Sequence, residues 1–204
     1  MLKTTSHHVS RLLVVVTLSA WSAGALAHAE VGVAGGLTSG LLHPLFGLDH
    51  LLAMVAVGLW GAQLGKPAIY LLPITFPVVM AVGGLLGVAG MPLPFIEVGI
   101  ALSALALGAM VAANLRPPIW TAALVVGLFA IFHGHAHGTE MPEAANPLAY
   151  GIGFVISTGL LHLAGILIGL LIRWPIGAWI IRGCGAIISC FGAFFMAASI
   201  GLTG

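Results

Sequence analysis

Long apolar segments dominate the chain and are separated by short breaks that contain proline, glycine or charged residues. Five of these segments run over residues 68–89, 95–115, 119–137, 148–172 and 176–202. Each is close to the length of about 20 residues that an α-helix needs to cross the hydrocarbon core of a bilayer. The pattern therefore predicts five consecutive membrane-spanning helices.

A sixth apolar segment, residues 31–65, does not fit the same length. As one straight helix it would extend for about 52 Å, which is too long for one crossing and too short for two. His43-Pro44 and Gly47 interrupt it, and we expect one crossing helix preceded by a broken or re-entrant helix over residues 31–46. Irregular backbone at membrane depth is tolerated only where it is buried in protein or lines a cavity, so this break is also a candidate site.

The first 27 residues have the layout of a secretory signal peptide. A polar start is followed by a short apolar stretch and by Ala25-Leu26-Ala27, which is a small-x-small cleavage site. We expect cleavage after Ala27, which leaves residues 28–204 as a single transmembrane helical domain. The alternative is that residues 1–27 stay attached as an uncleaved first helix.

Composition supports a membrane protein and excludes other classes. Hydrophobic residues make up 60% of the chain and charged residues 5%, whereas soluble proteins carry roughly a quarter charged residues. The six Lys and Arg and the five Asp and Glu are too few to cover a surface that faces water. A soluble enzyme and a nucleic-acid-binding protein are therefore excluded.

The positions of the basic residues decide between six and seven crossings. If residues 31–65 cross once, the basic residues after the signal peptide all fall on one side of the membrane; these are Lys66, Arg116, Arg173 and Arg182. The positive-inside rule places that side in the cytoplasm. We therefore predict an all-α polytopic protein of the bacterial inner membrane, with about six transmembrane helices and with its mature N-terminus in the periplasm.

Histidines and acidic residues fall on the opposite, periplasmic side or in the outer half of the membrane. The group comprises His28, Glu30, His43, Asp49, His50, Glu97, His133, His135, His137, Glu140 and Glu143. Because no basic side chain accompanies these carboxylates, they do not form an ion-pair network. Imidazoles combined with carboxylates are typical ligands of a divalent transition-metal ion.

The break in the sixth segment holds the first candidate ligands, which are His43, Asp49 and His50. Asp and His inside a membrane are costly and usually mark a functional site. Seven residues of regular helix would return His50 to nearly the same face as His43. The interruptions at Pro44 and Gly47 can instead bring His43 towards Asp49.

His133, His137 and Glu140 form the second set, and their spacing of four and three residues places them on one face of a helix. His135 lies between them and points elsewhere. Other residues are candidates for an accessory role, with a structural role as the alternative for Met54, Glu97 and His162. The accessory candidates are His28, Glu30, Met54, Glu97, His135 and His162.

The residues around these candidates resemble the motifs of the HupE/UreJ family, small membrane proteins associated with hydrogenase and urease. The first motif is similar to His43-Pro-x-x-Gly47-x-Asp49-His50-x-x-x-Met54, and the second to His133-Gly-x-Ala136-His137-Gly138-x-Glu140. Glu97-x-x-Ile100-Ala101-x-Ser103 and Thr158-x-x-x-His162 resemble the remaining motifs.

The family is regarded as nickel permeases, so the resemblance implies transport of Ni²⁺. It assigns the principal site to His43, Asp49 and His50, supported by Glu97, His133, His137, Glu140 and His162. Spacing alone does not distinguish Ni²⁺ from Co²⁺, Zn²⁺ or Cu²⁺. The expected partners are the metal ion, the lipid bilayer and hydrogenase or urease maturation proteins.

A membrane-bound nickel metallochaperone, which binds the metal without translocating it, is the alternative function. An intramembrane metal-dependent hydrolase is a third class, but the chain contains no HExxH motif. We therefore expect no enzymatic activity.

Overall fold

The computed structural model describes residues 32–142 and 145–202, and the regular structure in these ranges is entirely helical. The helices in chain order are α1 Gly32–Phe46, α2 Leu48–Leu64, α3 Ala68–Val88, α4 Ile96–Ala113, α5 Ile119–Thr139, α6 Pro147–Gly169 and α7 Pro175–Ser199, with a 3₁₀ turn Leu170–Arg173 before α7. The signal peptide predicted over residues 1–27, together with His28 and Glu30, lies outside the described residues.

Five helices are long and apolar enough to cross a membrane, and they are α3, α4, α5, α6 with its 3₁₀ extension, and α7. Their bounds lie within about three residues of the five apolar segments. The α1–α2 pair is apolar enough for a sixth span, but it is bent by 81° at Gly47. The chain is therefore an all-helical multi-pass membrane protein with a broken N-terminal helix.

The break between α1 and α2 is confined to one residue, whereas the sequence indicates interruptions at both His43-Pro44 and Gly47. Pro44 lies inside α1 and does not end it. Gly47 alone separates the two helices and has an extended backbone, with φ −84° and ψ 99°. The chain therefore changes direction three residues after Pro44, immediately before Asp49 and His50.

The second helix, α2, forms the centre of the bundle. It packs against α3, α4, α6 and α7, and its residues 53–63 are buried except for the half-buried Val55. The outer faces of the surrounding helices expose large apolar side chains such as Leu85, Leu124 and Ile187, as expected for surfaces that face lipid. His50, in the first turn of α2, is buried among these helices.

Glycines bring α3 and α5 into direct backbone contact. Gly83 and Gly87 on α3 pack against α5, while Gly134 and Gly138 on α5 pack against α3. A Cβ atom at any of these four positions would collide with main-chain atoms of the facing helix. Such small-residue faces are common between membrane helices because they allow close approach. The close approach of α3 holds the histidine-rich end of α5 in place.

Several pairs of glycines stand four residues apart on the helices, and the pairs on α3 and α6 form contacts between helices. Gly83-xxx-Gly87 faces α5, and Gly165-xxx-Gly169 faces α2. Gly61-xxx-Gly65 is different, because Gly65 ends α2 with a positive φ of 76°. That conformation strains other residues, so the glycine at position 65 serves the turn and not a helix interface.

Replacing Gly134 by alanine is expected to destabilise the protein by about 3 kcal/mol, because the new Cβ meets the rigid main-chain carbonyl of Met80. Gly159→Ala is the matched control, since a Cβ there has no neighbour within 4 Å. Thermal unfolding in detergent checks the difference. Equal unfolding midpoints for the two variants would show that the α3–α5 contact is not as tight as described.

The two ends of the bundle differ in charge. Lys66, Arg116 and Arg173 are exposed near three helix connections at one end. Arg182 belongs to the same end, since its Nε donates a 2.8 Å hydrogen bond to the carbonyl of Ala112 near the end of α4. The start of α2 and the end of α5, where the acidic and histidine side chains lie, are at the opposite end.

Candidate metal centre

The turn between α1 and α2 holds Asp49 and His50 in one fixed pair. The backbone N–H and the Nδ1–H of His50 both donate to Oδ1 of Asp49, each at 2.8 Å. Gly47 leaves room for this pair, since a Cβ there would lie 3.2 Å from Nδ1 of His50 and 3.3 Å from Oδ1 of Asp49. Asp49 also stands in the first turn of α2, where the helix dipole favours a negative charge.

This pairing determines which nitrogen of His50 can bind a ligand. Because Nδ1 carries the proton that is donated to Asp49, Nε2 holds the free lone pair. Nε2 is buried and has no hydrogen-bond partner among the described residues. A carboxylate behind a histidine is the usual outer partner of a metal ligand, because it orients the ring and increases its basicity.

His133 on α5 is also fixed by a hydrogen bond, but through its other ring nitrogen, Nε2. The hydroxyl of Ser103 on α4 donates to the carbonyl of Ile100 at 2.6 Å, and its oxygen accepts a 2.8 Å hydrogen bond from Nε2–H of His133. Nδ1 of His133 is therefore left with the lone pair, and it has no partner in the part of the chain that the structure describes. No role was predicted for Ser103 from the sequence. Its hydroxyl in the middle of an apolar helix could have indicated that it binds a buried polar partner.

The rings of His50, His133 and His137 converge in the interior. One nitrogen from each ring lies within 4.8 Å of the others, and the ring centroids of His50 are 4.7 Å from His133 and 4.4 Å from His137. All three side chains are buried. Two nitrogens bound to one ion at about 2.1 Å each are at most about 4.2 Å apart, which is close to this spacing. We call these residues the inner histidine group.

A second group of potential ligands lies nearer the surface. His43, His137 and Glu140 also place one ligand atom each within 4.8 Å of one another, and Nε2–H of His43 donates to Oε2 of Glu140 at 3.1 Å. The hydrogen bond from His43 lowers the pKa of Glu140 below its ordinary value. The carboxylate, which ends α5, is therefore ionised at neutral pH. We call this set the outer group.

His137 belongs to both groups and links them. Its ring is 4.8 Å from that of His43 and 4.4 Å from that of His50, measured between centroids. Neither of its nitrogens has a hydrogen-bond partner within the described ranges, while Phe154 supports the ring at 4.0 Å. Exposure falls from Glu140 and His43 through His137 to His133, which is fully buried. The ligands therefore form a graded path from the surface into the bundle.

Other predicted residues lie outside both groups. His135 is buried but directs Nε2 to the carbonyl of Met91 at 2.7 Å. Glu97 is exposed in the first turn of α4, and Met54 is fully buried in the hydrophobic core. His162 belongs to neither group, but its ring contacts Phe76, which also contacts His133.

If the inner histidine group holds a divalent metal ion, removing the hydroxyl of Ser103 is expected to weaken its binding by about tenfold, because His133 then loses the partner that sets its tautomer and orientation. Ser189→Ala is the matched control. Its hydroxyl donates to the carbonyl of Leu105 and touches none of the histidines. Equilibrium binding of radiolabelled nickel to the purified proteins checks the difference, and equal affinities for the two variants would exclude a role for Ser103.

Comparisons with known proteins cover nearly the whole chain. A family model described as "HupE / UreJ protein" matches residues 15–195, which include both ligand groups. Protein HupE of Rhizobium leguminosarum bv. viciae is 44% identical over 181 residues, which is 88% of this chain and 95% of that protein. No solved structure shows significant similarity to the chain. By the extent of these two matches, the chain belongs to the HupE/UreJ family.

Proposed function

We propose that this protein is a nickel permease of the bacterial inner membrane, and that it supplies Ni²⁺ for the maturation of hydrogenase or urease. The observation that carries the proposal is the pair of three-ligand groups that share His137 and differ in burial. An ion held by the outer group can pass to the inner group by exchanging His43 and Glu140 for His50 and His133, with His137 as a ligand in both positions.

The ligand types suit a first-row divalent ion. Imidazole is a good ligand for nickel, copper and zinc, and a carboxylate supplies negative charge. The outer group offers the ionised Glu140 directly. The inner group offers three imidazoles, and one of them, His50, is hydrogen-bonded to the carboxylate of Asp49. A cation that loses water on the way inward therefore meets a carboxylate at both steps, which offsets part of its desolvation.

The charge of the two ends supports uptake from the periplasmic side. Lys66, Arg116 and Arg173 lie at the end opposite the ligand groups, and positive residues favour the cytoplasmic side. The outer group then faces the periplasm, where it would collect the ion. The family membership and the similarity to protein HupE support a role in hydrogenase or urease assembly.

A membrane-bound nickel metallochaperone is the second candidate. It is favoured by the tight core beyond the inner histidine group, where Met54 and Phe76 are fully buried. A protein that only stores and hands over the ion would not need a path through this core.

Proteoliposomes with a trapped metal-sensitive dye separate the two functions. For a permease, nickel added outside is expected to reach the lumen at a rate that saturates with nickel concentration, while vesicles without protein stay dark. Binding of nickel to the purified protein without filling of the lumen would favour the metallochaperone. Zinc, cobalt and copper in parallel vesicles determine the selectivity.

A further inference from the structure

A third set of polar groups lies deeper in the bundle. His162 and Thr158 on α6 are 1% and 0% exposed, and neither the hydroxyl nor either ring nitrogen has a hydrogen-bond partner in the described part of the chain. The two residues are four apart and therefore share one face of the helix. Buried polar groups are nearly always paired, so three unpaired atoms side by side require an explanation.

The main chain of α3 adds an oxygen to the same place. Pro77 lies inside α3 and has no N–H, so the carbonyl of Pro73 one turn earlier lacks its helical partner. This carbonyl interacts with the ring of His162, although it forms no well-aligned hydrogen bond to either nitrogen. The imidazole of His162 and the free carbonyl of Pro73 thus meet in the interior, and the hydroxyl of Thr158 stands one helical turn before the imidazole on the same face of α6.

One aromatic ring contacts both His162 and the inner histidine group. Phe76 on α3 is fully buried, and its ring centroid lies 5.4 Å from that of His133 and 5.3 Å from that of His162. No other described aromatic ring is within contact distance of both histidines. The third set therefore continues the path of ligands from Glu140 through His137 and His133.

A purely structural role does not account for the arrangement. A threonine inside a helix ordinarily satisfies its hydroxyl on the carbonyl four residues earlier, but Thr158 does not. A histidine kept for packing forms a well-aligned hydrogen bond, as His135 does with the carbonyl of Met91. His162 has only its contact with the Pro73 carbonyl, which can involve one ring nitrogen at most. The unpaired atoms instead suit a ligand that visits this position.

We propose that His162, Thr158 and the Pro73 carbonyl form a transit site for the divalent cation, which it reaches by passing Phe76; the proposal rests on the permease function. The site offers one neutral nitrogen and two neutral oxygens. No described carboxylate contacts these groups, so the transit site holds the ion more weakly than the inner histidine group. Conduction needs sites that bind the ion well enough for it to enter and weakly enough for it to leave. The transit site binds the ion weakly and so allows it to leave.

Two measurements on the full-length protein test the transit site. Equilibrium nickel binding in detergent reports the two histidine groups, and the initial rate of lumen filling in proteoliposomes reports passage. His162→Leu is expected to keep the wild-type affinity and to fill vesicles about tenfold more slowly. Thr158→Val, which preserves shape and removes only the hydroxyl, is expected to reduce the rate in the same direction. Ser157→Ala, the neighbouring buried hydroxyl on another face of α6, is the matched control and should fill at the wild-type rate.

The outcomes separate this inference from the proposed function. If the wild type fills vesicles and His162→Leu fills them equally fast, the transit site is refuted while the permease function stands. If the wild type binds nickel but never fills vesicles, the permease function is refuted and the transit site with it. Should His162→Leu lose equilibrium binding through misfolding, Thr158→Val decides, because a wild-type rate for that variant overturns the proposal.

Discussion

Replacement of His137 by alanine is expected to abolish nickel uptake and to weaken equilibrium nickel binding by more than about 100-fold. The physical reason is that His137 contributes a ligand atom to both groups, so its loss leaves two ligands in each. The nearest other histidine on α5 does not replace it, since His135 is directed to the Met91 carbonyl. Uptake of radiolabelled nickel by cells that lack other nickel transporters, together with binding to the purified protein, measures both effects.

His135→Ala is the matched control for this experiment. It removes an equally buried histidine two residues away on the same helix, and it should change nickel affinity by no more than about threefold. Equal impairment in both variants would mean that the end of α5 matters only through packing. Wild-type uptake by His137→Ala would refute the shared-ligand arrangement.

Asp49→Asn is expected to reduce nickel uptake by about 10–100-fold at every nickel concentration. Asparagine keeps the shape of aspartate and can still accept a hydrogen bond from His50, so the variant removes mainly the negative charge behind that ligand. The buried ion then loses the nearest carboxylate to the inner histidine group. Uptake measured over a range of nickel concentrations should show a lower maximum.

Glu140→Gln provides the comparison, because it makes the same chemical change at the exposed outer group. Its effect is expected at low nickel concentration, as a raised half-saturating concentration with a nearly normal maximum, since His43 and His137 remain to collect the ion. If Asp49→Asn behaved in the same way and recovered fully at high nickel, Asp49 would act in collecting the ion and not in holding it inside the bundle.

The helices and the position of the break are readable from the sequence because both depend on local properties. Stretches of about 20 apolar residues predict the spans, and Gly47 marks the point where α1 ends. The 81° bend at that point is not readable, because it depends on how α1 and α2 each pack against α6. The same bend decides where His43 and His50 lie relative to α5.

In the candidate site, too, local spacing can be predicted from the sequence, but contacts between helices cannot. The spacing of His133, His137 and Glu140 places them on one helical face, yet it does not show that they divide between two groups. They divide because His43 at the end of α1 meets Glu140 and His137, whereas His50 near the start of α2 meets His137 and His133. Contacts between helices also explain why sequence reasoning could not choose between a structural and a functional role for Met54, Glu97 or His162.

The central claim is that nickel binds between His50, His133 and His137. Anomalous diffraction at the nickel absorption edge, from crystals of the nickel-loaded protein, tests it most directly. The account predicts a peak within bonding distance of all three rings, with Nε2 of His50 and Nδ1 of His133 as the ligand atoms. A peak held only by exposed carboxylates such as Glu97, with the three histidines making no contact to metal, would contradict it.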